Sequence, residues 1–173
     1  MFHLKLSRNY DNLQLPYLKL NVLFQLIDKR DLYDDYAHHP NEIKATIKLG
    51  RLFIKEDHNK FKKSRLIAIF QPHRYSRVKK FAKEIAEELS KADVIYVTCI
   101  YGAGEENEDK INSKIITDLI YKKNKNVSYI NNYHDITKNF DELTQKGDLI
   151  LNMGAGNCHN FWSILNGKNN VNE

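Results

Sequence analysis

Short hydrophobic runs alternate with longer helical patterns along most of this chain. The run Leu66–Phe70 is continuously apolar and has strand length, which is typical of a strand buried on both faces of a parallel sheet. A helical stripe follows it, and the run Val94–Val97 then predicts a second strand. The stripe consists of Val78, Phe81, Ala82, Ile85, Ala86 and Leu89.

The alternation extends in both directions from this centre. Residues Phe24–Tyr33 predict a strand, or a hairpin that turns near Asp28, and Pro40 suits the first position of the following helix. The helix face would hold Ile43, Ile47, Gly50 and Ile54. Later elements are a helix with Ile111, Ile115, Ile116 and Leu119, a strand at Val127–Ile130, a helix over 135–145, a strand at Asp148–Leu151, and a helix with Cys158, Phe161, Trp162 and Leu165.

This order of elements predicts an α/β fold, a three-layer Rossmann-like domain with a mostly parallel sheet. Residues 24–166 would form the domain. Residues 1–23 are poorly patterned because Pro16 interrupts their leucines, so we interpret them as an arm, and residues 167–173 as a polar tail.

Composition narrows the class of protein. The chain has 173 residues, 42% of them hydrophobic, which suits one folded domain. No apolar run approaches the ~20 residues of a membrane span, and the start lacks a secretory signal, so we expect a cytoplasmic protein without a membrane partner. The net charge is +5, but the lysines are mixed with acidic residues, which favours a solvated surface over a nucleic-acid interface. Cys99 and Cys158 lie far apart and predict packing roles.

The segment Asp34–Pro40 concentrates two carboxylates, a phenol and two imidazoles at a predicted strand-to-helix turn. Such turns line the carboxyl edge of the sheet, where α/β proteins bind ligands. Asp34, Asp35, His38, His39 and His73 have the residue types of a zinc or manganese site. Adjacent histidines usually point apart, however, so we assign no metal site. Two interpretations of His38 and His39 remain: they contact a substrate, or they are turn residues whose polar contacts are satisfied within the protein.

Arg74 and Arg77 lie three residues apart at the start of a predicted helix. Two guanidiniums beside a helix N-terminus would form a carboxylate or phosphate receptor, whereas the alternative is two arginines that face solvent. The turns at Gly102/Gly104 and Gly154/Gly156 lack the third glycine of a dinucleotide fingerprint, so they indicate tight turns. No G-x-x-x-x-G-K-[ST] phosphate loop occurs in the sequence.

Four stretches taken together resemble a known family. DDYAHHPNEI, IFQPHRYSR, the GAGE turn and DLILNMGAGN, in this order, resemble the C-terminal domain of the Mur ligases, and the resemblance covers about residues 24 to 165. It is strongest to the branch that joins L-alanine to UDP-N-acetylmuramate. The resemblance implies a ligase of peptidoglycan synthesis, and hence of cell-wall biogenesis, cell shape and cell division.

The resemblance also implies cofactors, partners and site residues. ATP activates the substrate carboxylate, the amine of L-alanine attacks, and magnesium neutralises phosphates in a central ATPase domain. A C-terminal domain of this type closes over the reaction as a lid. Asp35 and Tyr36 would then lie beside the nucleotide. His38, Arg74 and Arg77 would face the amino acid and the reacting centre.

Because the phosphate-loop and UDP-sugar domains are absent from the sequence, the chain resembles a truncated ligase. We expect it to be inactive alone, to bind no cofactor tightly, and to depend on another chain that carries those domains. The alternatives are a non-catalytic relic, a nucleotide-binding α/β module, and a basic nucleic-acid binder.

Overall fold

The computed structural model describes residues 23–27, 30–56, 64–158, 161, 164 and 165, and six strands of these residues form one sheet. The strands are β1 (Leu23–Ile27), β2 (Arg30–Asp35), β3 (Leu66–Gln71), β4 (Val94–Val97), β5 (Val127–Tyr129) and β6 (Leu149–Gly154). The strand order is β1-β2-β6-β3-β4-β5. Strand β1 pairs with β2 in antiparallel fashion, and all other pairs are parallel.

Helices cover both faces of the sheet, so the predicted three-layer α/β fold is confirmed. The helices are α1 (Pro40–Glu56), α2 (Tyr75–Leu89), α3 (Lys114–Tyr121), α4 (Tyr133–Lys138) and α5 (Phe140–Leu143). The apolar faces of α1, α2 and α3 pack on one side, over Phe70, Val97 and Leu151. Helices α4 and α5, together with Phe161 and Leu165, pack on the other side.

The two central strands, β3 and β6, are buried along their whole length. This explains why Leu66–Phe70 is continuously apolar, since each face of β3 contacts a helical layer. The hairpin interpretation of Phe24–Tyr33 is also confirmed, because Leu23–Ile27 pairs with Arg30–Asp34. Its predicted turn near Asp28 lies outside the described residues, as do the proposed arm up to residue 22, Trp162 and the polar tail.

Two helical predictions need correction. Helix α3 begins at Lys114, after Ile111, and Ile115 is exposed rather than part of the buried face. The single helix expected over 135–145 is two short helices that meet at Asn139. The Asn139 side chain donates to the Asp135 carbonyl, and this local polar bond competes with continuation of α4.

Two ion pairs fix the amino ends of the strands. The Asp148 carboxylate is fully buried and accepts from Arg65 Nε at 3.0 Å, Arg65 Nη2 at 2.6 Å and the Gln145 backbone N–H at 2.7 Å. Asp93 accepts a bidentate pair from Arg51. These contacts lie at the edge opposite the chemically distinctive loops, so they hold the sheet without taking part in that site.

The chain leaves neighbouring strands toward different faces. After β2 and β3 it enters α1 and α2 on one face, and after β6 it continues toward Phe161 on the other. Because β6 lies between β2 and β3, crevices open at the carboxyl ends of these strands, where α/β proteins bind ligands. Among the described residues, no helix has the length and apolar character needed to cross a membrane.

Candidate functional site

The carboxyl ends of β2, β3 and β4 bring three loops to one edge of the sheet. We call these loops, with the strand and helix ends that border them, the rim; it comprises residues 35–39, 72–77 and 98–105. His73 forms a parallel bridge with Tyr101, the Tyr101 N–H donates to the Pro72 carbonyl at 2.8 Å, and the Arg74 N–H donates to the Tyr101 carbonyl at 2.8 Å. The second and third loops are therefore joined through their backbones.

Four rings form a continuous series across the rim. Tyr36 meets His38 edge-on at 5.3 Å between ring centroids, and His38 lies 5.3 Å from His73. The His73 ring stacks on Tyr101 at 5.8 Å with an interplanar angle of 13°. Gly156 lies against this series from the loop after β6, where a Cβ atom would come within 2.6 Å of Tyr101 Cγ. Residues from four loops therefore surround one strip of surface.

The hydrogen bonds of the two imidazoles give them different roles. His38 Nδ1 lies 2.8 Å from the Tyr36 carbonyl, which can only accept, so Nδ1 carries the proton and the neutral ring has its lone pair on Nε2. His73 Nδ1 lies 3.2 Å from Arg77 Nη1, which can only donate, so here Nε2 carries the proton. The rim thus contains one acceptor imidazole and one donor imidazole.

The environment of His73 disfavours its charged form. Burial lowers the pKa of His73, and the neighbouring His38 ring and the positive charges of Arg77 and Arg74 lower it further. His73 is therefore neutral around pH 7, in agreement with the hydrogen bond that it accepts from Arg77.

His39 has a structural role at the start of α1. Its backbone N–H donates to Glu42 at 3.0 Å, and its ring lies edge-on to Phe81 at 5.0 Å. Glu42 also accepts from the His38 N–H. Burial raises the pKa of Glu42, but the two N–H donors and the two neighbouring imidazoles together lower it below its usual value. This is the reciprocal half of a capping box, with Pro40 at the first helical position. The adjacent histidines therefore point apart.

The two carboxylates of the Asp34–Pro40 segment, whose residue type suits a metal, are also engaged elsewhere. Asp34 is buried and accepts from Asn152 Nδ2 at 2.7 Å, which ties β2 to β6. Asp35 accepts from the Thr46 hydroxyl at 2.5 Å, and burial raises the pKa of Asp35, partly offset by that bond. No three His, Cys, Asp or Glu side chains come together as a possible metal site in the part of the chain that the structure describes.

Arg74 and Arg77 stand at the N-terminus of α2. Arg74 immediately precedes the helix with backbone angles φ 66° and ψ 133°, and its guanidinium is half exposed and lies 3.7 Å from Glu105. Arg77 lies within the first turn and contacts His73. Tyr36 is 61% exposed at the end of the ring series. The rim therefore presents two guanidiniums, an acceptor imidazole and an exposed phenol to solvent.

Comparison with known proteins agrees with this architecture. Residues 24–156 match the family described as Mur ligase, glutamate ligase domain. A UDP-N-acetylmuramate–L-alanine ligase from Prochlorococcus marinus subsp. pastoris is 55% identical over 170 residues, which are 97% of this chain.

The chain belongs to the Mur ligase family.

Other relatives support the same assignment. A UDP-N-acetylmuramate–L-alanine ligase from Brachyspira hyodysenteriae is 43% identical over 136 residues, 78% of this chain. The solved structure of a UDP-N-acetylmuramate-alanine ligase from Thermotoga maritima has the same fold, with a TM-score of 0.62 at 21% identity over 84% of this chain and 28% of that one. This Mur ligase chain spans 36% and 28% of the lengths of the Prochlorococcus and Brachyspira relatives.

Several rim residues of this Mur ligase chain were not assigned to the site from sequence. In the sequence, His73 is recognisable only as a residue type that suits a metal, and Tyr101 and Glu105 stand out only as the residues that flank a glycine turn. The carboxylate that directly follows Gly-Ala-Gly was an available signal, since a tight turn at a strand end projects the next side chain over the sheet edge. Nothing in the sequence marks Thr46 as a partner of Asp35, because their contact depends on how α1 packs against β2.

Proposed function

We propose that this chain is the C-terminal lid domain of an ATP-dependent ligase that joins L-alanine to UDP-N-acetylmuramate in peptidoglycan synthesis. The observation that carries the proposal is the position of one acceptor imidazole and two guanidiniums at one edge of the sheet. The proposal also draws on the Prochlorococcus relative, whose name states this reaction and which aligns with 97% of the chain. Residues beyond this chain would supply the ATPase and UDP-sugar sites, on another chain or on the same one.

Arg74 and Arg77 would bind the carboxylate of the amino acid. A guanidinium offers two parallel N–H donors to a carboxylate, and the N-terminus of α2 adds favourable potential for an anion. Binding the carboxylate at this point fixes one end of the substrate. The amine at the other end can then be oriented toward the reacting carbonyl, which is how positioning lowers a barrier between two bound reactants.

His38 would receive the amine. Its Nδ1 proton is held by the Tyr36 carbonyl, so Nε2 can accept a hydrogen bond from the substrate ammonium or amine. As a general base, Nε2 can take a proton from the ammonium, which leaves an amine whose lone pair is aligned with the acyl phosphate that it attacks. His73, whose Nε2 carries a proton, could donate to an oxygen of the same substrate.

The nucleotide would meet the first loop of the rim. Tyr36 exposes an aromatic face suited to stacking, and Asp35 has a carboxylate suited to a ribose hydroxyl. No three His, Cys, Asp or Glu side chains come together among the described residues, and none of the rim residues is proposed as a magnesium ligand.

A chimaera tests the proposal. The segment of the Prochlorococcus ligase that aligns with this chain would be replaced by this chain, and phosphate release would be measured with ATP, UDP-N-acetylmuramate and L-alanine. We expect alanine-dependent release by the chimaera and none by this chain or by the truncated relative alone. Arg77→Ala should lower kcat/KM by about 100-fold or more, because it removes a guanidinium that binds the L-alanine carboxylate and so positions the amine. Its melting temperature should change little.

Lys83→Ala, on the exposed face of the same helix, is the matched control and should leave both values unchanged. A chimaera that binds UDP-N-acetylmuramate but releases no alanine-dependent phosphate would contradict the proposal. Equal loss of activity and melting temperature in Arg77→Ala would indicate a structural role for that residue. ATP binding by the isolated chain would instead favour the nucleotide-binding alternative.

A further inference from the structure

The first turn of α2 has an unusual distribution of charge. Arg74 precedes the helix and Arg77 is its third residue, so two cations lie at the positive end of the helix dipole. The first turn contains no acidic residue, and the Arg74 side chain makes no capping hydrogen bond. A helix that begins in this way requires an acceptor and a negative charge from elsewhere in the fold.

Glu105 supplies both from the loop after β4. Its carboxylate accepts from the Ser76 backbone N–H at 3.0 Å and from the Ser76 hydroxyl at 2.7 Å. The same carboxylate lies 3.7 Å from Arg74 Nη1. The two bonds from Ser76 lower the pKa of Glu105, and the charge of Arg74 lowers it further. Glu105 is thus an ionised helix cap that also faces the guanidinium.

The same loop holds the backbone of Arg74. A non-glycine residue at φ 66° is conformationally unfavourable and persists only where its surroundings fix it. Here the Arg74 N–H is bonded to the Tyr101 carbonyl, and the Tyr101 N–H is bonded to the Pro72 carbonyl. Ala103 and Gly104 have φ values of 52° and 84°. These two left-handed residues form the tight turn between Tyr101 and Glu105.

We infer that the turn Tyr101–Glu105 is a template that fixes Arg74 at both ends, the backbone through Tyr101 and the guanidinium through Glu105. Glu105 is accordingly a positioning residue for the amino-acid carboxylate, and this role rests on the proposed function of Arg74. Because Ser76 donates to both carboxylate oxygens, Glu105 is held beside Arg74 without any contact to substrate.

Side-chain dynamics of the 173-residue chain test the template without any reaction. The probe is ¹⁵N relaxation of the Arg74 Nε–H group, assigned by its disappearance in Arg74→Ala. Glu105→Gln keeps groups that can bond to Ser76 but removes the charge, and it should lower the order parameter of Arg74. Arg77 should keep its order, because it is held by His73. Ser76→Ala, which retains the Glu105 charge, is the matched control and should affect Arg74 less.

Kinetics of the chimaera give the second readout. Glu105→Gln should raise the KM for L-alanine about two- to fivefold, the range that a half-exposed ion pair can contribute. The KM values for ATP and UDP-N-acetylmuramate and the kcat should stay within about twofold of the parent. In the Arg74→Ala background, Glu105→Gln should have no further effect on the KM for L-alanine.

The two readouts separate the possible failures. If the unsubstituted chimaera is inactive, the proposed function fails, and the relaxation experiment still decides whether Glu105 positions Arg74. Unchanged Arg74 order in Glu105→Gln would overturn the template. An unchanged or lower KM for L-alanine in an active chimaera would overturn the positioning role, the lower value indicating that Glu105 competes with substrate.

Discussion

His38 and His39 are adjacent in the sequence and have different tasks because their backbone positions differ. His38 is still in the loop, and its ring reaches His73 across the rim. His39 caps α1, and its ring turns away to Phe81. The site therefore uses one imidazole from this pair and takes the second from another loop, at His73. A residue's chemistry here depends on which side of a helix boundary it occupies.

The His73 ring should make stability depend on pH. Its pKa is lowered in the folded state, so between that value and the ordinary value near 6.5 the unfolded chain binds more protons. The free energy of unfolding should consequently fall as the pH drops through about 6.5 and level off below the lowered pKa. Replacing His73 with Gln removes the titration. The melting temperature should then decline less between pH 7 and pH 5 than in the parent chain.

An NMR titration of the His73 ring gives an independent measurement of the same effect. We expect a midpoint below 6.5 that rises toward the ordinary value in Arg77→Gln, which removes one of the nearby positive charges. A midpoint at or above 6.5 in the parent chain would contradict the lowered pKa.

At the scale of elements, the two edges of the sheet differ in the contacts that their charged residues make. The amino edge holds bidentate ion pairs, Arg65–Asp148 and Arg51–Asp93, which join strand starts to neighbouring segments. The carboxyl edge holds the rim, where charged groups remain partly exposed. Substitutions at the amino edge should therefore lower the stability of the fold without altering the contacts of the rim.

Asp148→Ala tests this division. The substitution leaves Arg65 and the Gln145 N–H without their acceptor, and it should lower the free energy of unfolding by about 2–3 kcal/mol. Asp109→Ala breaks the exposed ion pair with Lys79 and should change the free energy of unfolding by less than about 0.5 kcal/mol. Urea unfolding measures both. If Asp148→Ala instead changed the order parameter of the Arg74 Nε–H group under native conditions, the two edges would be coupled.

At the scale of the whole molecule, one sheet joins two hydrophobic layers. Neighbouring residues of β6 point to opposite faces, Ile150 toward α4 and α5 and Leu151 toward α1 and α2. Neither layer is complete without the central strands. The described part of the chain should therefore unfold as one unit.

A matched pair of variants tests this cooperativity. Ile150→Ala and Leu151→Ala each remove a buried aliphatic side chain, and each should lower the free energy of unfolding by about 2–5 kcal/mol. Far-ultraviolet and near-ultraviolet circular dichroism should report a single, coincident transition for both variants. Separate transitions for the two probes in either variant would show that the layers unfold independently.

Hydrophobic periodicity by itself determined the α/β class, the central strand at Leu66–Phe70 and the helix that follows it, because burial on a sheet imposes repeats that local sequence displays. It failed at Asn139 and Ile115, where single polar contacts and helix rotation decide the outcome. The residue types at strand ends were enough to nominate His38, Arg74 and Arg77. Only the tertiary structure placed β6 between β2 and β3, brought His73 beside His38, and set Glu105 against Ser76. Those features arise from contacts between segments far apart along the chain, and a local pattern contains no information about them.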